Sequence, residues 1–458
     1  MRLRFLLALW MAKLSIPALK ITKHNGTNYP GELAIKICPE FLKYVKKPKR
    51  IITVTGTNGK TTVSNLIIDS LESTGMKVLN NRAGSNINSG VATALINGVG
   101  LFNRAKYDLA VLEVDERSSK KIYPYVKPEI TIITNLFRDS IMRNAHPGYI
   151  ADFLTDSIPP ETKLILNADD LISSAVAPNN ERVYFGIDRM DTDVTECINL
   201  INDVRVCPKC GGSLKYEYLR YHHIGKAYCE DCGFKSPEYD YVAKDVDIDE
   251  MTLTASDKGG SMSYTLISDS VFNIYNMITV IAFLREFGMS HEEVHACLEK
   301  VHIVESRYQL TRAGTVDVVV QMAKDRNALA CSRAMDYVVQ QPGKKEIFLM
   351  MNNFSDEKKW SENTCWMYDC DFEFLNDEDV THIVATGPRG KDYRLRLLIA
   401  GVPDKKIDFV SDELEAVEKL HFEPHTSIYI FYGTDALALM GKVKDKTIAL
   451  ATQYTERG

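Results

Sequence analysis

The chain has 458 residues, 45% of them apolar and 25% charged, with a formal net charge of −6. That length exceeds one ordinary core and predicts about three domains. The composition excludes a disordered or fibrous chain, and the acidic balance argues against a nucleic-acid surface. Ten cysteines are few for this length and four of them stand in two C-x-x-C pairs, so a reducing cytoplasm is expected rather than a disulfide framework.

At the N-terminus Arg2 and Arg4 precede the apolar run Phe5-Leu-Leu-Ala-Leu-Trp-Met-Ala12, which Lys13 ends. The run is too short to span a bilayer and lacks a small-x-small cleavage site. It predicts an amphipathic helix packed on the protein itself, with contact to the inner face of a membrane as the alternative. After a loop at 24–31, a helical stretch is predicted from Glu32 to Tyr44, which completes an arm of residues 1–48.

Next comes Ile51-Ile-Thr-Val-Thr-Gly-Thr-Asn-Gly-Lys-Thr-Thr62, a β-branched run, a glycine turn and the start of a helix. In such a loop Gly56 and Gly59 let the backbone approach phosphate oxygens, while the following helix offers unpaired N–H groups. The Lys60 ammonium sits against the outer phosphates, and the Thr61 hydroxyl holds Mg2+. Val54 stands where the general pattern has its first glycine. Gly56, Thr57, Asn58, Gly59, Lys60, Thr61 and Thr62 are therefore the candidate nucleotide-binding residues.

Lys77-Val-Leu begins a second strand, followed by the polar loop Asn80–Gly90, and loops after strands are where open α/β sheets bind ligands. Tyr107–Glu116 reads as a buried parallel strand whose terminal carboxylates are placed to hold a metal ion, Glu113 first and Glu116 second. Ile130-Thr-Ile-Ile-Thr134 ends in Asn135-Leu-Phe-Arg-Asp139, and Lys163-Leu-Ile-Leu ends in Asn167-Ala-Asp-Asp170. Three successive strands ending in polar clusters on one sheet edge predict a site.

Cys207-Pro-Lys-Cys210 and Cys229-Glu-Asp-Cys232 are separated by eighteen residues, and each is followed by Gly. This is the spacing of a zinc ribbon, in which Cys207, Cys210, Cys229 and Cys232 close a tetrahedral structural site and leave no open position for catalysis. His222 and His223, between the knuckles, are expected to be exposed hairpin residues. Strand-like alternation resumes at 251–255 and 261–267. The helix around Phe272–Phe283 then places Asn273 and Asn276 on one face. A helix is predicted over His291–Val301, Glu305–Tyr308 reads as an inter-domain joint, and from 310 onward strand and helix signals start over as a second parallel α/β domain.

T-G-T-N-G-K-T-T at 55–62, N-R-A-G-S-N at 81–86, L-E-V-D-E at 112–116, T-N-L-F-R-D at 134–139, L-N-A-D-D at 166–170 and F-N-I-Y-N at 272–276 run through most of the chain, together with the four-cysteine insertion. In these motifs the sequence resembles the Mur ligases and, more narrowly, the MurT subunits of lipid II isoglutaminyl synthases. The inserted ribbon discriminates, because the amino-acid-adding Mur ligases lack it.

The resemblance implies an α/β fold in which a Mur-ligase-like P-loop ATPase domain, 49–305, carries a zinc ribbon at about 204–240 and precedes a Rossmann-like α/β domain, 306–458. It implies ATP-dependent amidation of the D-glutamate α-carboxylate of the lipid II stem peptide through an acyl phosphate, with ammonia from a GatD-like glutaminase in a heterodimer. Lys60 and Thr61 would serve ATP and Mg2+, Glu113 the metal, Asn273 and Asn276 the adenine side, and Arg307 the nucleotide. Asn352-Asn-Phe-Ser-Asp356 and Asp369-Cys-Asp-Phe-Glu373 resemble family runs that hold the aspartate completing the glutaminase triad. Asp356 is the first candidate for it and Asp369 the second. The chain departs from the family where 355–366 is longer and lacks a glycine, and where Ala323-Lys-Asp-Arg-Asn-Ala328 replaces a K-N-P segment. A Mur-type or folylpolyglutamate-type ligase that joins an amino acid is the alternative enzyme, and a nucleotide-switched adaptor the alternative of another class.

Overall fold

The structure, a computed structural model, describes residues 2–21, 27–138, 146–301, 308–323, 327–351 and 364–457. The chain divides into two units: Met1–Phe137 with His146–Ile198 and Asn202–Ile303, and Arg138–Ala145 with Asn199–Ile201 and Val304–Gly458.

The first unit is built on β1 (Arg50–Thr55), β2 (Val78–Asn80), β3 (Leu109–Glu113), β4 (Ile130–Ile133), β5 (Lys163–Asn167) and β6 (Arg182–Ile187). A separate hairpin, β7 (Lys215–Tyr221) and β8 (Ile224–Tyr228), precedes β9 (Tyr241–Asp247), β10 (Thr252–Asp257) and β11 (Gly260–Thr265). Nine strands make one sheet in the order β11-β10-β9-β6-β5-β4-β1-β3-β2, parallel from β2 to β9 and antiparallel beyond. Near-continuous apolar runs suit the parallel strands, which are covered on both faces: β4 is buried throughout and β1 from its second residue.

The chain leaves β1 toward the β2 edge, returns through β3 beside β1, and then crosses to β4 on the other side. The crevice beyond the C-terminal end of β1 is thus a topological switch point, where open α/β sheets bind ligands. Register lines the strand ends up there, Val54 opposite Glu113, Thr55 opposite Ile133, and Ile133 opposite Leu166.

At the N-terminus a helix runs from Arg2 to Ile21, and Phe5, Ala8, Leu9 and Ala12 join the same buried cluster as Phe41, Leu95 and Leu112. The helical stretch expected from Glu32 to Tyr44 is interrupted. One helix covers Tyr29–Ile37, Cys38 is extended at φ −131°, and a short turn of helix follows at Phe41–Tyr44. Pro39 disfavours helical geometry at the residue before it, which accounts for the break. Strands β6 and β9 were not singled out in the sequence. In β9 only Ala243 is buried and Lys244, Asp245 and Asp247 follow it, so its apolar alternation is weak.

The second unit holds a six-stranded sheet in the order β12-β13-β17-β14-β15-β16: β12 (Tyr308–Ala313), β13 (Val316–Met322), β14 (Lys345–Met350), β15 (Val380–Thr386), β16 (Ile407–Val410) and β17 (Ser427–Tyr432). β12 is antiparallel to β13 and the rest are parallel, with helices packed on both faces. A β-hairpin therefore opens this parallel α/β unit.

Candidate nucleotide site and zinc ribbon

The loop after β1 turns under the first turn of helix Lys60–Ser73. Gly59 adopts φ +86° and lies directly against the Asn276 side chain, so only a residue without a Cβ fits there. Gly56, at φ +124°, is pressed in the same way against Thr134. The loop is held from β4: Asn58 N–H donates to Asn135 Oδ1 at 3.0 Å, Thr134 Oγ1 donates to the Asn58 carbonyl at 2.6 Å, and Phe137 N–H donates to Thr57 Oγ1 at 2.9 Å.

Lys60 folds back over this loop. Its Nζ donates to the Gly56 carbonyl and forms an ion pair with Glu116 Oε1 at 2.9 Å. Burial pushes the Glu116 carboxyl above the ordinary glutamate range, and the Lys60 charge opposes that rise without cancelling it. Beside this pair, Thr61 Oγ1 donates to Glu113 Oε2 at 2.8 Å, and Asn86 Nδ2 donates to Glu113 Oε1 at 2.9 Å. Asn81 braces the Glu113 backbone, accepting its N–H and donating to its carbonyl, each at 2.9 Å.

Neighbouring oxygens in an octahedral Mg2+ shell lie roughly 3 Å apart when the bonds are about 2.1 Å. The Thr61 and Glu113 oxygens meet that requirement, and Thr61 is exposed toward the crevice. On the facing helix, Val271–Glu286, Asn276 Nδ2 donates to Asn273 Oδ1 at 3.1 Å. The structure thus brings together the 55–62 loop, Glu113, Glu116, the 81–86 loop, Thr134, Asn135 and the Asn273–Asn276 pair. Arg307 and Asp356 lie outside the described residues. Asp369, in the second unit, ends the short helix Trp366–Asp369 with its carboxylate 3.9 Å from Arg138.

In the insertion the sulfurs of Cys207 and Cys232, and of Cys210 and Cys229, are each 3.6 Å apart, and all four lie within 4.8 Å of one another. Four thiolates at about 2.3 Å from a zinc ion would be separated by roughly 3.8 Å, so the set fits tetrahedral Zn2+. Another group in the second unit, Glu346, His382 and His421, is also compact. Its two imidazoles stack at 4.1 Å and 25°, so an ion could not lie in both ring planes close to the nitrogens. Glu346 instead accepts the N–H groups of His421 and Phe422 as a satisfied buried carboxylate.

The hairpin histidines are not exposed as the sequence suggested: His222 is 4% exposed and His223 is fully buried. The β7–β8 turn is folded against the main sheet rather than into solvent. His223 packs on Phe137, with ring centroids 4.5 Å apart, and its Nε2 lies 3.2 Å from Asp170 Oδ1. Sequence reading also missed Arg220. It bonds Asp193 at 2.9 and 2.7 Å and approaches Asp169 at 3.4 Å, while Tyr275 and Tyr239 donate to the same Asp169. Burial raises the Asp169 pKa against the Arg220 charge. Three aspartates and the Arg220-Tyr221-His222-His223 run were the available signals, but nothing local in them marks burial.

Known proteins resemble this chain over most of its length. The Mur ligase middle domain family matches residues 54–203 and the MurT ligase C-terminal family matches 325–437. The MurT subunit of the glutamine-hydrolysing lipid II isoglutaminyl synthase of Staphylococcus aureus (strain COL) is 29% identical over 399 residues, which cover 86% of this chain and 88% of that protein. The chain is a MurT-like member of the Mur ligase family. The corresponding MurT subunit of Streptococcus pneumoniae (strain ATCC BAA-255 / R6) is also 29% identical, over 86% of this chain and 87% of that protein. Among solved structures, a pseudomurein peptide ligase type C from Methanothermus fervidus aligns with a TM-score of 0.67 at 21% identity, covering 89% of this chain and 80% of its own. The MurF ligase of Thermotoga maritima in complex with ADP aligns at 0.58 and 13% identity, covering 93% and 84%. At those identities the structures establish the shared fold. This MurT-like chain has the Mur ligase α/β fold with a four-cysteine insert, and Mur ligases are ATP-dependent ligases that use ATP and Mg2+.

Proposed function

We propose that this MurT-like chain is the synthetase subunit of an ATP-driven amidotransferase acting in the cytoplasm on the D-glutamate α-carboxylate of the lipid II stem peptide. The similarity to MurT subunits over 86% of the chain, including the C-terminal segment 325–437, carries the reading. A carboxylate is a very poor acyl donor, so its oxygen first takes the γ-phosphoryl group of ATP, with ADP leaving. Ammonia then attacks the acyl carbon of the acyl phosphate, inorganic phosphate leaves, and the attacking nitrogen loses a proton to give the amide. Mg2+ supplies charge neutralisation for the phosphate oxygens when bound.

In this reading the 55–62 loop cradles the phosphates, and Thr61 with Glu113 holds the metal. Lys60 exchanges its carbonyl and Glu116 partners for phosphate oxygens. Asn273 and Asn276 line the adenine side. Ammonia comes from a glutaminase subunit, because the MurT relatives are named as subunits of a glutamine-hydrolysing synthase. Asp356, and after it Asp369, is the candidate that completes the glutaminase triad, and Arg307 is a candidate nucleotide contact.

The test is ATP-dependent amidation of lipid II by the purified chain, given either glutamine with a co-purified glutaminase-like subunit or ammonium alone. A product lighter by about one mass unit, lost on the order of 10²-fold or more in Lys60→Ala, is expected. An Asp356→Asn variant active with ammonium but not glutamine would support the triad role. ATP turnover only with an added amino acid would instead favour the peptide-ligase alternative.

A further inference from the structure

Helix Arg2–Ile21 is apolar on two opposite faces, and the fold covers one of them. Phe5, Ala8, Leu9 and Ala12 are 5% exposed or less and belong to the core of the first unit. Leu3, Leu7, Trp10, Met11 and Leu14 are 86, 52, 41, 44 and 68% exposed. At 3.6 residues per turn these five fall within an arc of roughly 100° on the side away from the buried set. An exposed helix of a folded protein normally shows charge there, not leucine.

The patch continues beyond the helix. Leu101 and Phe102 are 59 and 79% exposed, and Trp10 Nε1 donates to the Leu101 carbonyl at 2.9 Å, which ties this loop to the helix. A contiguous apolar surface of this kind marks an interaction site.

Its rim is predominantly basic. Asn103 joins the Leu101–Phe102 loop to the segment after Tyr44, accepting from Lys46 N–H at 2.8 Å and donating to the Tyr44 carbonyl at 2.9 Å. Lys46 is held there by Asn103, Arg104 and Lys106 follow in the same loop, which closes through Gly100 N–H on the Arg104 carbonyl and Lys106 N–H on the Gly98 carbonyl, and Arg4 stands at the edge of the helix face. The nearby carboxylates Glu40 and Asp108 are each matched by a further lysine, Lys43 and Lys49. A chain of net charge −6 thus concentrates cations around its exposed leucines.

We propose that this face seats on an anionic lipid bilayer, with the helix lying in the plane of the interface. The exposed side chains would enter the acyl boundary, Trp10 would sit at headgroup level, and the basic rim would meet lipid phosphates. No helix among the described residues is long and apolar enough to cross a membrane, which agrees with lying on the bilayer. A second copy is the poorer occupant, because a two-fold contact through this face would set the same basic rim against itself. The inference does not depend on the amidation reading, and its test involves no catalysis.

The full chain is sedimented with phosphatidylglycerol vesicles and, separately, with phosphatidylcholine vesicles. Binding to the anionic vesicles is expected to be at least tenfold tighter and to weaken as salt is raised, with a blue shift of tryptophan emission that disappears in Trp10→Phe. Leu7→Glu and, in a separate element, Phe102→Asp should each weaken binding about tenfold while the far-ultraviolet circular dichroism stays unchanged. Absence of binding to both vesicles overturns the proposal, and so does binding that neither substitution changes. A dimer in light scattering that Leu7→Glu dissociates would give the face to a second copy, and a protein ligand that competes away vesicle binding by the free chain but not by Leu7→Glu would give it to a partner.

Discussion

The ion pair between Lys60 and Glu116 sets the charge balance of the loop after β1. Its side chains are 13% and 4% exposed, and desolvation holds the Glu116 pKa above its usual value despite the lysine beside it. A carboxyl whose folded-state pKa is raised stabilises the fold below its unfolded pKa, and that contribution is lost as pH rises through the raised value. Ionised Glu116 is therefore a cost at neutral pH. The Glu116→Gln variant leaves Lys60 without its counter-charge at every pH, so the raised carboxyl shows in the trend: the melting temperature of the variant relative to the parent should rise as pH is raised through that value. Thermal unfolding at several pH values checks this; a parent that gains on the variant with rising pH contradicts it. At Gly59 the expectation is steric. Gly59→Ala would place a Cβ against Asn276 on a left-handed backbone, costing about 1–2 kcal/mol and displacing a side chain of the site. Nucleotide affinity measured by calorimetry should fall with stability, and unchanged affinity would remove Asn276 from the site.

The element that most distinguishes the first unit is the ribbon, which is fastened at its two ends by different means. The four sulfurs close its tip, while Arg220 on β7 reaches the main sheet through Asp169 and Asp193. The Arg220 side chain is 3% exposed, and removing one partner from a buried charge cluster costs about 3–5 kcal/mol. Arg220→Met should lower the urea midpoint of the first unit accordingly, whereas Lys215→Met, at the exposed Lys215–Glu230 pair, should leave it where it was. Chelation of zinc should remove hydrogen-exchange protection from β7 and β8 while β1, β4 and β5 keep theirs. Loss of protection throughout the nine-stranded sheet would mean that the ribbon is integral to the core.

For the whole molecule, two sheets with separate buried clusters predict separable unfolding. A ligand that binds only the folded first unit stabilises that unit by about 2.7 kcal/mol at a hundredfold excess over Kd. Scanning calorimetry with a non-hydrolysable Mg-ATP analogue should therefore raise one transition and leave the other in place, and Lys60→Ala should abolish the rise. A single transition that moves as a whole would show that the units unfold together.

Local chemistry was legible in the chain because it is written in adjacent residues. Strand, glycine turn and helix start at 51–62 specify the loop that closes β1, paired C-x-x-C turns specify a compact cluster of four sulfurs, and the apolar run before Glu113 sets that carboxylate at the end of β3 beside this loop. Strand β9 was harder to read, since Lys244, Asp245 and Asp247 hide the period of two. Tertiary structure alone decided which distant residues meet and which face a solvent-compatible pattern turns inward. Asn276 lies against Gly59, Glu116 takes Lys60, His223 is buried on Phe137, and the first helix keeps only one of its two apolar faces covered. The physical reason is that burial belongs to a pair of surfaces, and the second surface of each pair comes from a part of the chain far away in sequence.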